Sequence, residues 1–215
     1  RRNHRMLAAL AALHLIALTQ VDGPSTGRQL SLLSAEPLEG GSMATAWAGW
    51  SSFGAQWGMG VTARDDLGLS FDFDWAGTEL RVGGWYRRPV GLAGPFDVAG
   101  RLGVGYYASY GAHFIHEGNH DDEGVSIEPA LVLSSPGAGG IFSAAGEVPI
   151  VVTTRYDGGL LFTPRLSLSY ETPVYPDLSV GVLGSIGYRA GTDEAPMRDG
   201  RADVRFLLLV GYQIL

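Results

Sequence analysis

The sequence of 215 residues contains no cysteine and no lysine, and only 17% of its residues are charged. Without cysteine there is no disulfide framework, no thiolate metal site and no cysteine for a lipid anchor. All 15 basic residues are therefore arginines, and they form no basic stripe. Together with a net charge of -7, this argues against nucleic acid as a partner, because neutralising phosphates requires clustered cations.

A hydrophobic run long enough to span a bilayer as a helix is also missing. The N-terminus reads RRNHR and then thirteen apolar residues, MLAALAALHLIAL, interrupted by His14. This is too short for a transmembrane helix, but it has the form of a secretory signal peptide. A core helix or an amphipathic anchor is the alternative. We predict a signal-peptide-like segment at 1–20, a Gly-, Ser- and Pro-rich linker at 21–42 and one domain at 43–215.

From residue 43 onward, apolar residues alternate with small or polar ones in segments separated by turns. The clearest segment is 67–75, LGLSFDFDW, in which every second residue is a large apolar one. Alternation with a period of two indicates strands, and no segment past residue 20 has a convincing helical period. The pattern predicts an all-β, antiparallel fold of about ten strands, with a range of eight to twelve.

The polar faces of these strands are unusual in composition. They consist mainly of Gly, Ser, Thr and Ala with isolated charges, whereas surfaces that face water carry charges at about a quarter of their positions or more. The apolar faces carry aromatics, mostly near segment ends. Such positions are typical of the aromatic girdles at the two interfaces of a membrane. We assign to these girdles Trp75, Tyr86, Tyr106, Tyr110, Tyr170, Tyr188 and Tyr212.

The last segment, RADVRFLLLVGYQIL at 201–215, places six apolar residues on one face from Val204 to Ile214. It resembles the C-terminal strand of Gram-negative outer-membrane β-barrels, although that family usually ends in Phe and here Leu215 follows Ile214. The group-level resemblance covers 43–215. It implies a closed, up-and-down transmembrane β-barrel in the bacterial outer membrane, with membrane lipid as its partner. The longest predicted connections, 113–124 and 191–200, follow the fifth and ninth strands, as expected for outer loops.

If the apolar faces meet lipid, the charges on the opposite faces point into the barrel. Twelve such residues are predicted, six of each sign, and they read as a salt-bridge network that fills the lumen. A narrow, charge-lined passage for small solutes is the functional alternative. The predicted lumen charges are Asp72, Asp74, Glu79, Asp97, Glu128 and Glu147 with Arg81, Arg87, Arg101, Arg165, Arg189 and Arg205.

The loop at 113–124 contains a formal H-E-x-x-H match at 116–120. In zinc proteases that motif lies on a helix, but Gly118 and Asn119 are poor helix formers. We therefore interpret the match as fortuitous and predict that the chain is not an enzyme. A solvated loop and a divalent-cation site remain as alternatives. The candidate ligands are His113, His116, His120, Asp121 and Asp122, together with Glu123.

These features predict an outer-membrane barrel that is structural or provides a narrow passage for small solutes, with outer loops available to partners and no cofactor. The first alternative is a soluble periplasmic ligand-binding barrel, whose apolar faces would line a cavity and whose charges would meet water. The second is a membrane enzyme or metal-binding barrel that uses the His-rich loop.

Overall fold

The structure is a computed structural model that describes residues 33–111, 121–154, 159–192 and 200–214. A single antiparallel β-sheet accounts for most of these residues. The strands of these ranges are β1 (Ser42–Trp50), β2 (Ser52–Gly60), β3 (Asp66–Asp74), β4 (Glu79–Ala93), β5 (Phe96–Tyr110), β6 (Asp121–Gly137), β7 (Gly140–Glu147), β8 (Ile150–Thr153), β9 (Leu160–Phe162), β10 (Arg165–Tyr175), β11 (Leu178–Gly191) and β12 (Arg201–Ile214). Within the same ranges, no helix has the length and apolar character needed to cross a membrane.

The sheet closes on itself. β1 pairs with β2 on one side and with β12 on the other, from Ser42 opposite Ile214 to Trp50 opposite Phe206. Every other pairing joins strands that are neighbours along the barrel, and all pairings are antiparallel. The prediction of an all-β, closed antiparallel barrel is confirmed.

Two prolines divide two of the barrel strands, so twelve segments form ten strands. Pro149 separates β7 from β8, and Pro164 separates β9 from β10. Proline lacks the N–H that a ladder needs, yet the carbonyls of both residues still accept hydrogen bonds from the next strand, at 2.9 Å from Thr163 and 3.0 Å from Tyr188. The described residues therefore make a ten-stranded barrel, the number predicted from the alternation.

The two ends of the barrel differ in their connections. β1 begins and β12 ends at one end, which we call the terminal end. There the turns are short, as at 94–95, 138–139 and 176–177. The opposite end, the loop end, has the connections at 111–120, 154–159 and 192–200. β6 begins at Asp121, so residues 121–124 belong to a strand and not to the loop predicted at 113–124.

Alternation along each strand separates an apolar outside from a polar inside. On β2, the residues from Ser52 to Gly60 are alternately buried and exposed. Large rings fit inside where the wall is thin: the Trp85 indole lies against Gly68 and the Trp47 indole against Gly54. A Cβ at either glycine would collide with these rings, which explains why glycine occupies these inward positions.

Residues 33–41 occupy the terminal end of the barrel. Ser34, Ala35 and Glu36 are buried, and Ala35 packs against Ala99 and Val132 of the wall. The Ala35 N–H donates to Ser134 Oγ at 2.8 Å. Of the linker predicted at 21–42, residues 34–36 therefore pack inside the barrel and Ser42 begins β1, whereas Glu39 and Gly40 are exposed; residues 1–32 lie outside the described residues.

Candidate functional site

The outer face of the barrel is a continuous apolar belt. Leu166, Leu168 and Leu208 are each about two-thirds exposed, at 67%, 68% and 68%, although they lie within strands. The neighbouring outward positions are also large and apolar, including Phe206, Val182 and Leu69. Soluble monomers rarely expose an apolar patch of more than a few hundred Å². The apolar belt is therefore larger than the exposed patches typical of soluble monomers.

Aromatic side chains mark both rims of the belt. Near the loop end, Trp75 packs edge-to-face on Trp50 at 4.8 Å between ring centroids, and Tyr106 donates to Glu123 Oε2 at 3.0 Å. Near the terminal end, Tyr170 donates to the Ala138 carbonyl at 2.8 Å. Apolar rings with hydrogen-bonded polar tips suit a boundary between apolar and wet surroundings.

The remaining predicted girdle residues lie on the same outer face. Tyr110, Tyr188 and Tyr212 are more than half exposed, and Tyr86 is 37% exposed. The Tyr86 hydroxyl donates to Asp65 in the turn between β2 and β3. This hydrogen bond holds the pKa of the Asp65 carboxyl below its ordinary value.

Inside the barrel, Arg205 forms the centre of an ion-pair cluster. Its guanidinium nitrogens lie 3.1 Å from Asp72, 3.3 Å from Asp203 and 3.5 Å from Asp74. These carboxylates come from β3 and β12, which are separated in the sheet by β1 and β2, and the cluster lies near the loop end. One buried cation is therefore shared by three carboxylates.

A second cluster lies beside the first at the loop end. Arg189 donates to Glu79, and both side chains are 2% exposed. Arg81 lies farther from its partners, with nitrogens 3.9 Å from Glu79 and 3.9 Å from Glu128. Its guanidinium also lies 5.8 Å from the centroid of the Tyr107 ring. Tyr107 packs with Val151 and Leu161, so apolar side chains and ion pairs together fill this end.

At the terminal end, a fully buried ion pair anchors residues 33–41. Arg87 donates to Asp66 Oδ2 from Nε at 2.9 Å and from Nη2 at 2.8 Å, and its Nη1 donates to the Ser34 carbonyl at 2.7 Å. The other oxygen of Asp66 accepts from the Leu38 N–H at 3.0 Å. The pair therefore satisfies backbone groups of the inserted segment as well as its own charges.

Between the two ends lies a central chamber of about 140 Å³, adjoining a smaller one of about 80 Å³. Arg101 lines both: it donates to Gln56 Oε1 at 3.0 Å and stacks 4.9 Å from the centroid of a Trp85 ring. Arg165 lines the larger chamber, with nitrogens 3.9 Å from Asp203 and 4.0 Å from Glu147. Leu33 lines both chambers on the side of the inserted segment.

The structure brings eleven of the twelve predicted lumen charges into these clusters and chambers. The exception is Asp97, which is half-buried near the start of β5 and joins none of the ion pairs found among the described residues. Glu128 and Glu147 line both chambers and keep about a third of their side-chain surface exposed, at 34% and 31%.

Sequence reasoning missed several buried acids, so the six-against-six balance is wrong. Most of them lie an even number of residues from an inward residue already assigned on the same strand. Extending the alternating pattern further along each predicted strand would therefore have found them. Asp66 continues the inward face of β3, and Asp203 that of Arg205. Glu36 carried no such signal, since it lies outside the strands. The missed acids are Glu36, Asp66, Asp122, Glu171 and Asp203.

The candidate metal ligands are only partly within the described residues. Asp121 and Asp122 are consecutive in β6, where Asp121 is exposed and Asp122 is buried. Consecutive strand residues point to opposite faces, so these two carboxylates point away from each other in β6. His113, His116 and His120 lie outside the described residues. In the described ranges, no group of three or more metal-ligating side chains occurs.

Comparison with known proteins adds no identity to this architecture. The chain matches no protein-family model and no curated protein.

Proposed function

We propose that the chain is an integral barrel of the bacterial outer membrane whose lumen is closed. The observation that carries the proposal is the continuous apolar outer face of a closed sheet, with aromatic rims at both ends. Closure pairs the backbone groups of every strand within the protein, which a hydrocarbon environment demands. The longest connections, at 111–120 and 192–200, both lie at the loop end, as in barrels whose termini face the periplasm.

A soluble periplasmic ligand-binding barrel is less well supported. That function requires apolar side chains around an internal cavity and charges in contact with water. The observed arrangement is the reverse, with Arg87 and Arg189 buried in the lumen and Leu168 and Leu208 exposed on the outside.

Within the membrane proposal, a structural role is better supported than an open channel. Ion pairs and the Tyr107 cluster fill the loop end, and residues 33–41 fill the terminal end. Narrow barrels are nearly filled by their own side chains, whereas wide aqueous channels belong to barrels of sixteen or more strands. Passage of small solutes would require the inserted segment to move. The connections at the loop end remain available to partners.

Alkaline carbonate extraction tests the membrane assignment. The chain is expressed in a Gram-negative host, and the outer-membrane fraction is washed with carbonate and then with detergent. We expect the protein to stay in the carbonate pellet and to enter the supernatant only with detergent, because its apolar belt contacts lipid.

A soluble periplasmic protein expressed in the same cells provides the control, since carbonate should release it. Release of the barrel together with that control would contradict the proposal. A density gradient separately identifies inclusion bodies in the pellet. Membrane-embedded protein floats with lipid, whereas aggregated protein sediments.

A further inference from the structure

The central chamber contains more hydrogen-bond donors than it can satisfy. Among the described residues, the buried Gln56 Nε2 and Trp85 Nε1 have no hydrogen-bond partner, and both residues line the chamber of about 140 Å³. Arg165 Nε and Ser185 Oγ, from two other lining residues, are also buried without a hydrogen-bond partner. Buried donors without acceptors are costly, typically about 1–3 kcal/mol each, so the chamber favours a molecule that supplies acceptors.

The guanidinium groups around the chamber have the same imbalance. Within the described residues, the ion pairs of Arg81 and Arg165 measure 3.9–4.0 Å, which is too long for hydrogen bonds. Arg101 makes one hydrogen bond, to the amide oxygen of Gln56. An arginine has five N–H donors in a planar fork, and that fork matches the two oxygens of an oxyanion.

The side chains that line the chamber carry one excess positive charge, although the whole lumen has an excess of acids. Arg205 is already compensated by close carboxylates, including the chamber-lining Asp72. The rest of the lining has three arginines, Arg81, Arg101 and Arg165, against two carboxylates, Glu128 and Glu147. Glu79 and Asp203 lie 3.9 Å from Arg81 and Arg165 but do not line the chamber, and neither do Glu171 and Asp122. One negative charge would therefore balance the lining.

We infer that the central chamber is a binding site for one small monovalent oxyanion, of the size of formate, acetate or nitrate. The volume has room for several water molecules or one small polyatomic ion. The guanidinium forks of Arg81, Arg101 and Arg165 supply charge-assisted hydrogen bonds. Gln56 and Trp85 donate from the wall. The inference requires only the barrel fold and does not depend on membrane insertion.

Titration with sodium formate tests the site. The full chain is folded in detergent micelles, and formate replaces sodium gluconate at constant ionic strength. Gluconate is a monovalent carboxylate too large for the chamber, so it controls for ionic strength and charge. We expect a saturable change in tryptophan fluorescence, since Trp47 and Trp85 line the chamber, and a rise in melting temperature with the same midpoint.

Charge variants distinguish binding from a general salt effect. Glu128→Gln removes a chamber carboxylate and should tighten formate binding by about tenfold, whereas Gln56→Glu adds one and should weaken it by about tenfold. Arg88→Gln is the matched control, because the Arg88 side chain is 58% exposed and does not line the chamber. This variant should bind formate like the parent. If Gln56→Glu fails to fold, the opposite sign expected for Glu128→Gln still tests the site.

Three outcomes would overturn the inference. A linear, non-saturating response to formate would mean that the chamber holds only water. Unchanged or weaker binding in Glu128→Gln would mean that formate binds elsewhere, and chloride binding as tightly as formate would rule out the oxyanion class. The titration is done in micelles and tests only the chamber, whereas the carbonate extraction tests only the membrane assignment. Failure of one therefore does not imply failure of the other.

Discussion

At the scale of single residues, the barrel depends on arginines that each bind several oxygens. Arg205 neutralises aspartates on two strands, and Arg87 holds Asp66 and the Ser34 carbonyl together. Lysine, which this chain lacks, would supply only a point charge at such positions. The planar guanidinium fork reaches several oxygens at fixed angles, which suits an interior where side chains of strands that are not neighbours must be joined.

The Arg205 cluster leads to a stability prediction. Arg205→Met should lower the free energy of unfolding by about 3–5 kcal/mol, because it leaves Asp72, Asp74 and Asp203 close together without their cation. Arg88→Met, which removes an exposed pair with Asp65 at 3.7 Å, should cost about 0–1 kcal/mol. Urea unfolding in micelles compares the two variants. Adding Asp203→Asn to Arg205→Met should restore part of the loss; equal stability of the two single variants would contradict this account.

At the scale of elements, the segment 33–41 decides whether the terminal end is open. It lies inside the sheet without being a strand, and hydrogen bonds from Ala35, Leu38 and Arg87 hold it there. Closure of the barrel does not involve it, because β1 pairs with β12 from Ser42 onward. The wall and the segment that fills it are therefore separate contributions to the structure.

Removing the segment should keep the barrel but open its terminal end. A chain that begins at Gly41 loses the three hydrogen bonds that join the segment to the wall, so its free energy of unfolding should fall by about 3 kcal/mol. In planar bilayers it should conduct ions severalfold better than the full chain. A matched control keeps the segment and removes one anchor, Ser134→Ala, which should change conductance little. Identical conductance of the truncated and full chains would mean that the loop end alone limits passage.

At the scale of the whole molecule, the inside and outside of the barrel are inverted relative to a soluble protein. Buried Glu79 and Arg189 lie in the interior, while leucines occupy the outside. This arrangement makes the outer face sensitive to its surroundings, since the same leucines are unfavourable in water and favourable in hydrocarbon.

A charge placed on the belt distinguishes the two environments. Leu168 lies near the middle of its barrel strand and is 68% exposed. Leu168→Arg should lower stability in lipid vesicles by about 2–4 kcal/mol, because the charge enters the bilayer midplane. Val61→Arg, in the turn after β2, is also exposed but lies outside the strands and should cost less than about 1 kcal/mol. An exposed site in water would tolerate both changes equally, and that result would contradict a membrane barrel.

The sequence by itself determined the strands and the face on which each side chain lies. A period of two is a local property of the backbone, so segments such as 67–75 predicted both the β3 strand and its outward Leu69 and Phe71. The same reasoning assigned Arg189 and Glu79 to the inside, although it could not pair them across 110 positions of sequence.

Only the tertiary structure decided which side chains and segments contact one another in the lumen. The partners of Arg205 come from two strands, and the register that aligns them is a property of the closed sheet. The fate of residues 33–41 was also invisible in the sequence, because their Gly-, Ser- and Pro-containing composition is that of a linker. They are ordered by groups on distant strands, Asp66, Arg87 and Ser134, which only barrel closure brings together around one lumen.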